Sequence, residues 1–156
     1  MYVARSIARA GGWSDPPVDT VTLDYESRYR RRIVLHCDSG REILLELPAA
    51  VLLHDGDALL TPAGPVAVRS AAEPLVQFEL VSTAACVRLA WHLGNRHVPT
   101  QLGERTLRIR PDHVLEGLAH GLGARVRHIE APFEPESGAY DAGHMHAGKP
   151  DDSRRA

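Results

Sequence analysis

The chain is 156 residues long, 44% hydrophobic and 24% charged, with a formal net charge of -2. That balance belongs to a folded globular protein of one ordinary domain or two small ones, and it excludes wholesale disorder and a general affinity for nucleic acid. No apolar run approaches the roughly 20 residues of a membrane span or forms a secretory signal, so no membrane association and a cytoplasmic location are expected.

In chain order, Val21, Leu23 and Tyr25 alternate with Thr20, Thr22 and Asp24, which is the period-two pattern of a strand. Ile33, Leu35 and Cys37 repeat it before the turn residues Asp38-Ser39-Gly40, and a second hairpin arm carries Ile43, Leu45 and Leu47 until Pro48 interrupts it. Asp55-Gly56-Asp57 and Pro62-Ala63-Gly64 then punctuate short apolar runs that end at Val66-Ala67-Val68. Residues 1–72 are therefore expected to form an all-β domain.

Beyond Pro74 the rhythm changes. A strand is predicted over Leu75 to Val81, and Ser82 or Thr83 can cap a helix that runs through ACVRLAWHL to about Leu93, with Gly94 and Asn95 as its stop. Short strands follow around Pro99 to Leu102 and Arg105 to Ile109, then a helix over Asp112 to Leu122 and a strand near Arg125 to Glu130. The order β-α-β-β-α-β is ferredoxin-like, so the expected fold class is α+β with this second domain over residues 73–135. From Pro132 onward aliphatic residues almost vanish, and residues 136–156 are expected to be a short flexible tail carrying histidines. Arg88 is the one formally charged residue between Ser82 and Leu93. A helix that apolar needs cover on a second face, most simply from another copy of the chain in a two-fold homodimer.

Histidine is the unusual component. Seven of the nine (His92, His97, His113, His120, His128, His144 and His146) lie after residue 90. Imidazole is both a ligand for borderline transition metals and a titrating group near neutral pH, so metal binding and pH sensing both stand open. His97 falls just past the first helix stop, as either a solvated loop residue or a ligand that meets its own copy near a two-fold axis. His92 is read as packing. His113 sits in the first turn of the second helix, where the dipole disfavours imidazolium and so favours the ligating neutral form, or it is simply solvated. His120, seven residues on, is about 10 Å away along the helix and cannot share its ion. His144 and His146 are spaced so that an extended chain projects both rings to one side, as a ligand pair or as an inert tail.

Other features carry less. His54-Asp55-Gly56-Asp57 reads as a turn rather than a hydrolase site. Arg28, Arg30, Arg31 and Arg32 form a basic cluster, read as a solvated strand entry, because Arg105 to Arg110 lacks the aromatics that stack RNA bases. Cys37 and Cys86 have no CxxC partner and are expected to be buried thiols. No catalytic signature is present, and no enzyme activity is expected.

Three motifs in order, HLGNRHVPTQL (92–102), DHVLEGLAHGLG (112–123) and APFEPESGAY (131–140), followed by GHMH, resemble the UreE family of urease accessory proteins, which are nickel metallochaperones. The first half resembles it mainly by layout, through the DSGRE hairpin, LPAAVLLHDGDAL and the Pro-Gly turn that follows. The resemblance implies an N-terminal β domain of peptide-binding or partner-binding type and a ferredoxin-like domain that binds metal and forms the homodimer. It makes His97 the interfacial metal ligand and His144 and His146 its tail partners. It makes His113 a secondary ligand, although the companion histidine two positions earlier is Pro111 here. The implied cargo is Ni(II), with Zn(II) or Cu(II) able to take its place, and the implied partners are the urease accessory GTPase and apo-urease. The alternative is a non-catalytic partner-binding module whose histidines only buffer metal or sense pH.

Overall fold

The computed structural model describes residues 1–136. Of the expected tail, residues 136–156, only Glu136 is described, and His144 and His146 lie outside the described residues. The elements run β1 (Tyr2–Ala4), β2 (Ser6–Ala8), β3 (Asp19–Leu23), α1 (Tyr25–Arg28), β4 (Tyr29–His36), β5 (Glu42–Leu52), β6 (Ala58–Thr61), β7 (Gly64–Ser70), β8 (Ala72–Glu79), α2 (Thr83–Asn95), β9 (Gln101–Leu102), β10 (Thr106–Ile109), α3 (His113–Gly121) and β11 (Arg125–Pro132).

The N-terminal strands form two sheets, ordered β1-β5-β4 and β2-β6-β7-β3, with parallel pairs at β1–β5 and β3–β7. Alternation turns Val21, Leu23, Leu35, Ile43, Leu45, Leu59 and Val68 inward, and they share one core with Ala4 and Leu53. Three details depart from expectation. The strand ending at Leu23 does not reach Tyr25, because Asp24 accepts the Ser27 N–H and caps a one-turn helix that begins at Tyr25. Pro48 does not end β5. The facing strand shifts register between Arg30 and Arg32, and this irregularity absorbs a residue that cannot donate to the ladder. Arg28 is not a solvated strand entry, since its side chain is 0% exposed.

The C-terminal strands form an antiparallel sheet ordered β11-β8-β10-β9. With α2 and α3 as crossovers, this is the ferredoxin-like topology that the sequence implied. Val76, Phe78, Leu107 and Ile109 project from the sheet onto Cys86, Leu89 and Leu93 of α2 and Leu115 and Ala119 of α3, and these make a second core.

Arg28 joins the two domains. Its guanidinium donates to the carbonyls of Leu53 (3.2 Å) and Phe133 and to the Glu134 carboxylate (3.0 Å). Glu134 also accepts from Ser70 (2.6 Å) and lies 3.2 Å from His54 Nδ1, while the Phe133 ring meets Tyr25 edge-on at 5.2 Å. Burial pushes the Glu134 carboxyl up. Hydrogen bonds from Ser70 and His54, the Arg28 charge and the Asp55 N–H outweigh that and hold it below its ordinary value. A carboxyl lowered on folding contributes stability at neutral pH that is lost as pH falls through its folded value.

Two results are expected from denaturant melts. Arg28→Met, which strands Glu134 and the facing carbonyls, lowers stability by about 2–4 kcal/mol. Between pH 7 and about pH 3 the wild type loses more stability than Glu134→Gln, because only the former must protonate a paired carboxylate. Equal losses in both chains would show that Glu134 is not a contributor.

Candidate metal centre

The site grows from the end of α2. Ser82 caps the helix by accepting the Ala85 N–H at 3.1 Å, and Cys86, Leu89 and Leu93 face the sheet. On the opposite side Val87 (64% exposed) and Trp91 (62%) stand out, and with Thr83, Ala84 and Arg88 they line a shallow apolar groove. The spacing i, i+3, i+4, i+7 makes these one stripe. The helix apolar on two sides is thus present, with one side uncovered in the single chain.

Gly94 and Asn95 were expected to stop α2, but both lie within it. The stop comes one residue past the Arg96 cap, at His97, which adopts φ 57°. The His97 N–H donates to Gly94 (3.0 Å) and the Val98 N–H to Leu93 (3.1 Å). This 5→2 and 6→1 pair is the Schellman arrangement, whose left-handed position glycine usually fills. A histidine there carries a backbone cost of about 1 kcal/mol, of the kind found at functional sites. It also throws the imidazole outward, and His97 is exposed.

His97 lines a cleft of about 450 Å³ with Val98, Pro99, Arg110, Pro111, Asp112 and Leu115. The far wall is the link between β10 and α3. Asp112 is in that wall because it caps α3, its Oδ1 accepting the N–H groups of Val114 (2.9 Å) and Leu115 (3.1 Å). His113 begins α3 and is exposed, but the cleft is lined by its neighbour Asp112 instead. Arg110 and Asp112 were not singled out from the sequence. The cap at Asp112 was legible, whereas the approach of this link to His97 is a tertiary event.

Most other described histidines have structural partners. His54, His36 and His128 lie 3.2, 3.5 and 2.7 Å from Glu134, Glu42 and Glu116, and His92 packs edge-on against Trp91. Among the described residues no three His, Cys, Asp or Glu side chains converge on a possible metal position. Cys37 and Cys86 are buried as expected, and burial pushes the Cys37 thiol up to about 11 and the Cys86 thiol up as well. Neither is poised as a thiolate.

The chain just after β11 passes close to this loop. The Glu136 N–H donates to the Thr100 carbonyl (2.9 Å) and the Glu134 N–H to the Gln101 side chain (3.0 Å).

Residues 3–72 match the N-terminal domain model, and residues 73–155 the C-terminal domain model, of the UreE urease accessory protein. The chain belongs to the UreE family. It is 47% identical over 153 residues to the urease accessory protein UreE of Rhodopseudomonas palustris (strain BisB18), covering 95% of this chain and 72% of that one. The UreE of Rhodobacter capsulatus is 46% identical over 144 residues, with 92% and 89% covered. The UreE of Bradyrhizobium sp. (strain ORS 278) is 49% identical over 136 residues, and this chain spans only 65% of its length. The family is one of accessory proteins rather than of enzymes.

The backbone at residue 97 allows a separation of fold from function. His97→Gly is expected to raise stability by about 0.5–1 kcal/mol, by relieving the left-handed conformation, while it removes the imidazole. A loss of stability in thermal or denaturant melts would contradict this account of the helix stop.

Proposed function

We propose that this UreE protein is a nickel metallochaperone that binds Ni(II) at a homodimer interface and donates it to apo-urease. The observation that carries the reading is the placement of His97 just past the end of the helix that carries the exposed Val87 and Trp91. Pairing two such stripes about a two-fold axis covers the apolar groove and brings the residues after each α2 into the interface region. Two His97 rings, one from each protomer, then serve one ion that a single described chain has no cluster to hold.

His144 and His146 complete the coordination in this proposal. Glu136 is bonded beside Thr100, and the eight residues from Glu136 to His144 span at most about 28 Å. The tail therefore has ample length to return to His97. His113 is a secondary ligand at most, since Pro111 replaces a companion histidine and the cleft wall presents Asp112 instead. A nitrogen-rich site with open positions can release its metal to a better-shaped acceptor, which a donor requires. Imidazole also suits Zn(II) and Cu(II), so these can occupy the site in place of the Ni(II) cargo.

In this reading residues 1–72 form the partner-binding domain, residues 73–135 the metal-binding and dimerisation domain, and residues 136–156 the ligand-bearing tail. The donor works in the cytoplasm with the urease accessory GTPase and the apo-urease maturation complex. No chemistry is catalysed.

Calorimetric titration of Ni(II) into the full chain tests this directly. About one tight ion per dimer is expected; His97→Ala abolishes it, truncation after Tyr140 weakens it roughly tenfold or more, and His113→Ala changes it little. Unaltered binding in His97→Ala would overturn the assignment and leave a partner-binding module that only buffers metal.

A further inference from the structure

One charged side chain in the cleft works against a cation. Arg110 lines the cleft that holds His97, and its guanidinium lies 5.1 Å over the ring of Tyr25, which belongs to α1 of the N-terminal domain. No carboxylate oxygen among the described residues lies within 4 Å of Arg110, and the Asp24 carboxylate feels its charge only from farther off. The cleft does contain one carboxylate, Asp112, but that group is committed to two N–H donors at the positive end of α3. Its negative charge is thus partly spent on the helix terminus.

The ring that holds Arg110 is itself fixed from both domains. The Tyr25 N–H donates to Glu73 at 2.9 Å, Phe133 meets the ring edge-on, and Arg28 approaches it at 5.9 Å. Tyr25 is half-buried at this joint. Asp24 beside it is held low first by hydrogen bonds from Ser27 and then by the charges of Arg28 and Arg110, which places the Arg110 charge at the same joint. Tyr25 of the N-terminal domain thus holds the charge of a residue that lines a cleft of the C-terminal domain.

We propose that Arg110, positioned by Tyr25, lowers the hold of the His97 cleft on a divalent cation and so keeps the ion exchangeable. This rests on the reading that His97 is the metal ligand. The charge of a residue that lines the cleft repels a doubly charged ion through partly hydrated space, an effect that is modest at low ionic strength and screened by salt. Because the Tyr25 ring sits on the partner-binding domain, a partner that shifts α1 would move this charge and alter retention of the cargo without touching a ligand.

Ni(II) titrations of the full-length dimer with four variants test it. At about 20 mM salt Arg110→Gln binds Ni(II) about three- to fivefold tighter than wild type, Arg110→Lys stays near wild type, and the gain from Arg110→Gln falls below about 1.5-fold at about 0.5 M salt, where the Debye length is only a few ångströms. In a Tyr25→Leu background the gain from Arg110→Gln shrinks, because the charge is no longer held in place. Unchanged or weaker binding by Arg110→Gln, or a gain insensitive to salt, overturns the role of Arg110. A gain of the same size with and without the Tyr25 ring overturns positioning by Tyr25. His97→Ala in the same series separates the two levels: if it binds as wild type, the metal-site reading fails, whereas loss of binding there with no effect at Arg110 defeats only the present inference.

Discussion

A buried guanidinium organises this molecule. Arg28 has no exposed side-chain surface, and a charge so placed survives only with partners on several sides. Leu53, Phe133 and Glu134 supply them, and Glu134 is held in turn by Ser70, His54 and the Asp55 N–H. Residues 133–136, which follow β11, are therefore held between the N-terminal domain on one side and Thr100 and Gln101 on the other. The loop that carries His97, the joint that carries Tyr25 and the start of the tail all meet around this clasp.

The proposed metal site has the opposite character. It is exposed, lies on the strained stop of a helix, and draws too few ligands from one described chain to trap an ion. A storage protein would need deep, saturated coordination; a donor needs selectivity at loading and ease at release. In the proposed reading, strain at His97, the Arg110 charge and the histidines His144 and His146 would all act toward release. The clasp and the packed ferredoxin-like core supply the platform on which such a site would stand.

Much of this was legible in the sequence. Alternation over Thr20 to Leu23 and Ile33 to Leu47, and the helical periodicity of Val114, Leu115 and Leu118, are local signals, and they placed the strands and α3 within a few residues. The apolar face of α2 was legible too, since one arginine in a dozen residues leaves an uncovered side whatever the fold. The failures share a cause. Gly94-Asn95 looked like a helix stop because these residue types tolerate left-handed backbone, yet the Schellman bonds fall one turn position later and put that conformation on His97. Arg28 looked solvated beside Arg30, Arg31 and Arg32, because its partners Phe133 and Glu134 are more than 100 residues away. Arg110 entered the cleft in the same way, through tertiary contact alone. His97 was a candidate from its position past a helix stop, but that position does not distinguish a ligand from a solvated loop residue, and the family resemblance made the choice.

The most direct test of the central claim is anomalous diffraction at the nickel edge from crystals of the loaded protein. The account predicts a single strong peak on or near a two-fold axis, about 2.1 Å from an imidazole nitrogen of His97 in each of two protomers, between paired α2 helices. A peak bound within one protomer, or at a dimer interface that leaves Val87 and Trp91 exposed and His97 unliganded, would contradict it.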